Sequence, residues 1–102
     1  MTNCSIILTT TDQPEIARAI ASDLVKSNLA SCVQIDKVTS IYEWQGNIAE
    51  AEEYRLSIKA ADKNIKAIEK RILELHNYEL PEIIAIPITG GSDKYIMWLK
   101  TS

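Results

Sequence analysis

A long predicted β-hairpin over residues 31–59 constrains this 102-residue chain most strongly. Its turn, Gln45-Gly46-Asn47, contains a Gly/Asn pair that tolerates the positive φ angles of tight hairpin turns. Each arm has about a dozen residues, against ~5–6 for an ordinary strand. Such an arm spans roughly 40 Å, whereas a compact domain of this length is only about 30–35 Å across. The hairpin tip is therefore expected to overhang its own core.

The side chains at that tip are aromatic. Tyr42 and Trp44 lie next to the turn, and large exposed aromatic side chains tend to mark contact surfaces. A two-stranded tip without further support is marginally stable in water. We therefore expect another copy of the chain to cover it.

The apolar alternation of the first arm changes phase. Val33 and Ile35 have one parity, whereas Val38, Tyr42 and Trp44 have the other. This change predicts a bulge or kink near Asp36-Lys37. The alternative is that both faces of the arm are partly covered, as an oligomer interface would also produce.

The segments around the hairpin alternate between strand and helix signals. The apolar run within residues 4–10 predicts a buried first strand. Asp12 with Glu15 has the form of a capping box, and Pro14 suits the first turn of a helix that runs to about residue 28.

A second helix is predicted after the hairpin, from a cap at Asp62 to about His76. Residues 83–89 predict a fourth strand, and Pro87 within it places that strand at a sheet edge. Ser92 or Asp93 is expected to cap a short last helix.

The resulting order is βαββαβ followed by a C-terminal helix. An antiparallel hairpin between two helical crossovers is the split βαβ, or ferredoxin-like, plan of an α+β protein with an antiparallel sheet. In that plan the first and third strands are central. The length leaves room for one domain, which we assign to residues 1–102.

The composition of the chain argues against several classes of binding partner. The formal net charge of −3 argues against sequence-independent nucleic-acid binding, which needs a basic face. No apolar run approaches the ~20 residues of a membrane span, and no secretory signal is seen. The expected compartment is the cytoplasm, where Cys4 and Cys32 would be free thiols.

Several side chains are candidate functional residues, and each could instead have a purely structural role. His76 is the only histidine, and could be a metal ligand, an acid–base group, or a helix C-terminal residue that complements the dipole. Glu50, Glu52 and Glu53 could hold a hard cation or form a solvated strand surface. The aromatic side chains could line a pocket or pack in a core or interface. They are Tyr42, Trp44, Tyr78, Tyr95 and Trp98.

Other classes of site lack their sequence signals. No Gly-rich phosphate loop or G-x-S-x-G elbow is found, and no nucleophile is paired with a base. We therefore expect a protein that is not an enzyme.

A series of ordered motifs resembles one known family, the divalent-cation tolerance protein CutA. The motifs are Ala30-Ser31-Cys32-Val33, Thr39-Ser40-Ile41-Tyr42-x-Trp44-x-Gly46, Glu53, Lys59, Leu75-His76-x-Tyr78-x-x-Pro81-Glu82-Ile83 and Tyr95-x-x-Trp98-Leu99. The resemblance implies a ferredoxin-like subunit, a tight homotrimer with long hairpins wrapped around neighbours, and a shape similar to PII signalling proteins. It also implies a role in tolerance of copper and other divalent metals.

The resemblance also implies positions for a site. Trp44, Lys59, Tyr78 and Glu82 match positions suggested to line a ligand-binding cleft between subunits. Copper binding in bacterial relatives is attributed to a cysteine and a histidine pair, and here those positions hold Thr9, Leu75 and His76. His76 is thus the remaining candidate metal ligand, with a divalent metal such as copper as the possible cofactor.

The leading hypothesis is a cytoplasmic homotrimer linked to metal tolerance, which binds a metal or a small ligand between subunits. The alternative is a PII-like signalling adaptor that recognises another, unidentified protein. An enzyme that uses Lys59, His76 and Glu82 across the interface ranks lowest. Neither nucleic acid nor membrane is an expected partner.

Overall fold

The computed structural model describes residues 2–101 and confirms the predicted α+β architecture. A short 3₁₀ turn, Asp62–Asn64, precedes the second helix. The strands and helices are β1 (Cys4–Thr11), α1 (Pro14–Lys26), β2 (Cys32–Trp44), β3 (Asn47–Ala61), α2 (Ile65–Leu75), β4 (Ile84–Pro87) and α3 (Asp93–Thr101).

The four strands form one antiparallel sheet in the order β2-β3-β1-β4. The first and third strands are central, as the ferredoxin-like plan requires. β4 is shorter than predicted, and Pro87 is its last residue. The edge position explains why proline is tolerated there, since no outer strand needs its missing N–H.

The hairpin pairs without interruption from Cys32 opposite Lys59 to Trp44 opposite Asn47. The predicted bulge at Asp36-Lys37 is therefore wrong. Asp36 instead faces Arg55 across the two strands, and their side chains form a salt bridge of 2.9 Å.

The turn and the length of the hairpin follow the prediction more closely. The positive φ angles fall on Gln45 (53°) and Gly46 (83°), while Asn47 already begins β3. Two consecutive positive φ angles are typical of the type I′ turn, whose twist matches that of the strands. The described chain measures 45 × 25 × 21 Å, so the hairpin extends the molecule along one axis.

The core lies between one face of the sheet and the helices α1 and α2. Strand alternation places Ile7 of β1 beside Ile58 of β3 on this face, where both are buried. One face of each helix supplies the other side of the core. Their fully buried members are Ala17, Ile20, Leu24, Ile68 and Ile72.

Both predicted acidic caps are wrong in detail. Gln13, not Asp12, is the N-cap residue of α1, and the Thr11 hydroxyl accepts a hydrogen bond from its N–H. Asp62 begins the 3₁₀ turn, and its carboxylate accepts a hydrogen bond of 2.7 Å from the Ser5 hydroxyl. The Asp62 carboxylate therefore links distant segments rather than capping a helix.

The opposite face of the sheet is only partly covered. Helix α3 lies over one end of it, where Leu99 is buried and its carbonyl accepts a hydrogen bond from the Ser31 hydroxyl. Ile84 and Ile86 of β4 stay about half exposed. Both cysteines are free, on strands that β3 separates. Within residues 2–101, no helix has the length and apolar character that a membrane crossing requires.

Candidate functional site

A cleft of about 750 Å³ opens between the hairpin tip and the loop that follows α2. We call it the tip cleft. Its volume falls in the range of ordinary ligand sites, ~300–1,000 Å³. The residues that line it are Thr10, Ser40, Ile41, Tyr42, Trp44, Glu53, Asn77, Tyr78, Glu79, Leu80 and Glu82.

His76 fixes the start of this loop. It is the C-cap residue of α2. Its Nε2 lies 2.8 Å from the Thr10 carbonyl oxygen, and its Nδ1 lies 3.0 Å from the backbone N of Tyr78. A carbonyl only accepts and an N–H only donates. The ring is therefore the neutral tautomer with the proton on Nε2, and both of its nitrogens have partners.

Asn77 provides the second attachment of the loop. Its Oδ1 accepts a hydrogen bond of 2.6 Å from the Thr11 hydroxyl, and its Nδ2 donates one of 2.9 Å to the carboxylate of Asp12. Two successive loop residues thus bind the end of β1. The loop is held against the sheet by side-chain hydrogen bonds that span more than 60 positions of sequence.

Tyr78 carries the third attachment. Its ring stands 4.9 Å from the His76 ring, and its hydroxyl donates a 2.6 Å hydrogen bond to Glu53 Oε2. Burial raises the pKa of the Tyr78 hydroxyl well above its usual range, and the bonded Glu53 carboxylate raises it further. The hydroxyl therefore remains a hydrogen-bond donor across the physiological pH range.

Glu53 is the most deeply buried charged group of the tip cleft, with only 5% of the residue exposed. Strand alternation places its side chain on the same face of the hairpin as Ser40 and Trp44, whereas the side chains of Glu50 and Glu52 lie on the other face. Its position lies one residue beyond the last pair between β3 and β1. The loop at Tyr78 covers it there.

The tip cleft is acidic and aromatic. Glu53, Glu79 and Glu82 contribute carboxylates, and Trp44, Tyr42 and Tyr78 contribute rings. Among the described residues that line it, none is lysine, arginine or histidine. A cleft of this composition has a negative potential close to aromatic surfaces.

The structure brings together part of the predicted site. Trp44, Tyr78 and Glu82 all line the tip cleft, and His76 lies directly behind Tyr78. Lys59 lies elsewhere, with its Nζ 5.6 Å from the centre of the Tyr95 ring. It stands six positions along β3 from Glu53, which is about 20 Å of strand.

Sequence reasoning gave Glu53 too little weight. It grouped Glu53 with Glu50 and Glu52 as an acidic run, although hairpin parity alone separates Glu53 from the other two. The burial itself comes from a loop 25 positions later in the chain. No local pattern contains that information.

The described part of one chain does not supply a closed metal site. Among residues 2–101, no three His, Cys, Asp or Glu side chains are placed to hold one ion. His76 could ligate a metal only by exchanging one of its two present hydrogen bonds. Thr9 is fully buried, and its hydroxyl has no hydrogen-bond partner within residues 2–101. The Leu75 side chain has no donor atom.

Comparison of the amino-acid sequence with known protein families identifies the family. The family model described as CutA1 divalent ion tolerance protein matches residues 5–102. The chain belongs to this family. The divalent-cation tolerance protein CutA of Thermus thermophilus is 41% identical over 96 residues, which cover 93% of each chain.

Solved structures agree with this assignment. The Cut A1 structure from Thermus thermophilus superimposes with a TM-score of 0.91 at 40% identity, covering 95% of both chains. The PII-like protein CutA from Nostoc, in its apo form, gives a TM-score of 0.88 at 36% identity over 94% of this chain and 93% of its own.

Some CutA relatives are longer. The chloroplastic protein CutA of Arabidopsis thaliana is 38% identical over 98 residues, which cover 95% of this chain but 54% of the relative. This chain therefore spans about half the length of the plant and animal relatives that it matches.

Proposed function

We propose that CutA family membership extends to function here: the protein contributes to divalent-cation tolerance as a homotrimer that binds a metal or a small ligand between subunits. The tip cleft is the observation that supports this proposal. It unites Trp44, Tyr78 and Glu82 with the buried Glu53 under a hairpin tip that extends past the core. The proposed role is binding, without catalysis.

Exposed apolar side chains support the association of several copies of the chain. Ile41 and Ile48 at the hairpin tip are 68% and 78% exposed, and Ile84 and Ile86 line the open face of the sheet. The register places these two pairs on opposite faces of the sheet, as two separate apolar surfaces, and large exposed apolar patches are typical of contact sites. A neighbouring copy is also the route by which Lys59 would join the site, because on its own strand it lies about 20 Å from Glu53.

A metal would need ligands from more than one copy. Within residues 2–101 no three donor side chains of one chain converge, whereas the threefold axis of a trimer would bring together three copies of a side chain that lies close to it. His76 remains the proposed ligand, and copper the proposed metal. In that role its Nε2 would release the Thr10 carbonyl, or its Nδ1 the Tyr78 N–H.

Titration calorimetry with Cu²⁺ tests the metal part. We expect the assembled native protein to bind Cu²⁺ and His76→Ala to bind it at least tenfold more weakly. Glu52→Gln, which changes a carboxylate on the opposite face of β3, is the control and should bind as the native protein does. No binding, or equal binding by His76→Ala, would remove His76 as a metal ligand.

A second candidate function is that of a PII-like signalling adaptor. The observation that favours it is the close superposition on the Nostoc protein, whose name describes it as PII-like. Recovery of the same partner from native lysate under metal depletion or metal excess would support this alternative. The predicted cytoplasmic location stays a prediction, since the Arabidopsis relative is named as chloroplastic.

A further inference from the structure

We propose that the tip cleft selects a small organic cation, with an alkylammonium or quaternary ammonium group, over neutral and anionic molecules of the same shape. This inference rests on the proposed function, in which the tip cleft is a ligand site. It adds the chemical class of the ligand.

The first support is a largely buried carboxylate, that of Glu53, which has no cationic partner among the described residues. Only 5% of the surface of Glu53 is exposed. Its Oε2 accepts a hydrogen bond from the Tyr78 hydroxyl. Within residues 2–101, Oε1 receives no hydrogen bond and no Lys, Arg or His group lies within salt-bridge distance. Buried carboxylates are normally paired or bound to a cation. The missing counter-charge points to a positive ligand.

The second support is the set of rings around this carboxylate. Trp44 and Tyr42 line the same cleft and keep over two fifths of their surface exposed. Aromatic faces attract organic cations, and tryptophan does so best. A hard divalent ion takes oxygen ligands and gains little from aromatic rings. Rings combined with carboxylates therefore favour a cation that carries apolar substituents.

The third support is the charge balance of the cleft as a whole. Glu79 and Glu82 line its other side. If Lys59 of a neighbouring copy entered, as proposed above, one positive charge would face three carboxylates. The cleft would still be negative, so a second cation would be accommodated. Its volume of about 750 Å³ exceeds what a bare ion needs and is suited to a small molecule.

A matched pair of probes tests the charge requirement directly. Choline and 3,3-dimethylbutan-1-ol have nearly the same shape, but only choline is charged. Calorimetric titration of the assembled native protein should give at least tenfold tighter binding of choline. Succinate, an anion of similar size, should bind more weakly than either.

Substitutions in the tip cleft test whether choline binds there. Glu53→Gln removes the key charge, but it can also unfold the protein, because the group is buried. Glu82→Gln and Trp44→Leu act at exposed positions of the same cleft, and each should weaken choline binding at least threefold. Glu52→Gln, on the opposite face of β3, should leave it unchanged.

Two results would overturn the inference. If the neutral alcohol or succinate binds as tightly as choline, the tip cleft is a ligand site without a preference for cations, and the proposed function stands. If none of the three binds at millimolar concentration, the cationic ligand is excluded. The Cu²⁺ titration then judges the proposed function separately.

Discussion

Two threonines of β1 provide a sharp test of how the core is built. Thr9 and Thr11 lie on the same face of the same strand, and both are fully buried. Their hydroxyls differ. Thr11 donates a 2.6 Å hydrogen bond to Asn77 and accepts one from the N–H of Gln13. The Thr9 hydroxyl is buried and has no partner among the residues that the structure describes.

Replacement by valine should therefore have opposite effects at the two positions. A buried polar group without a partner costs ~1–3 kcal/mol, and valine keeps the branched shape of threonine. We expect Thr9→Val to raise the free energy of unfolding by about 1–2 kcal/mol per chain. Thr11→Val should lower it by about 1–2 kcal/mol, because the Asn77 carbonyl oxygen and the Gln13 N–H lose their partner.

Thermal and chemical unfolding would measure the difference. For a chain of this size, 1 kcal/mol corresponds to a change in midpoint temperature of about 4–8 °C. All three proteins must be compared at one chain concentration, since the midpoint of an oligomer depends on it. Destabilisation by Thr9→Val, or no loss in Thr11→Val, would refute the assignment of these two hydroxyls.

Two further predictions concern titrating groups. The folded-state pKa of Tyr78 is raised, so the unfolded chain loses this proton first as pH rises past ~10, and stability should fall there by up to ~1.4 kcal/mol per pH unit. Urea unfolding from pH 9 to 11 should show this decline in native protein and in Tyr95→Phe but a smaller one in Tyr78→Phe; equal slopes would contradict it. Burial raises the pKa of the Cys4 thiol; Lys100 opposes this rise and Asp62 adds to it. A Cys32→Ser variant should therefore show no rapid reaction with Ellman's reagent until denaturant is added, and rapid labelling when folded would contradict the burial.

The order of elements could be predicted from sequence because its signals are local. Ile68 and Ile72 lie four positions apart, so they share one face of a helix within a short segment, and Pro87 alone indicates a sheet edge. The excess length of the hairpin is likewise a property of one continuous stretch. These features need no knowledge of distant residues.

The phase change in β2 shows where local reasoning fails. Val33 packs against the helical core, whereas Tyr42 and Trp44 line the tip cleft on the other face. The strand is regular throughout. One face of it is covered near Val33, and the opposite face lines the cleft near Tyr42 and Trp44. A bulge and a change of cover give the same apolar pattern, so sequence alone could not separate them.

The tip cleft depended on distant contacts in the same way. Asp12 has the spacing of a helix cap, yet its carboxylate binds Asn77. Glu53 reads as part of an acidic surface, yet Tyr78 covers it. Both partners come from the loop after α2, whose path is set by hydrogen bonds of His76 and Asn77 to β1.

Mass in dilute solution tests the central claim most directly, namely that neighbouring copies cover the extended hairpin and complete the tip cleft. Light scattering coupled to size-exclusion chromatography should give three times the 11.4 kDa chain mass at micromolar concentration. A stable, folded species with the mass of a single chain would contradict the account.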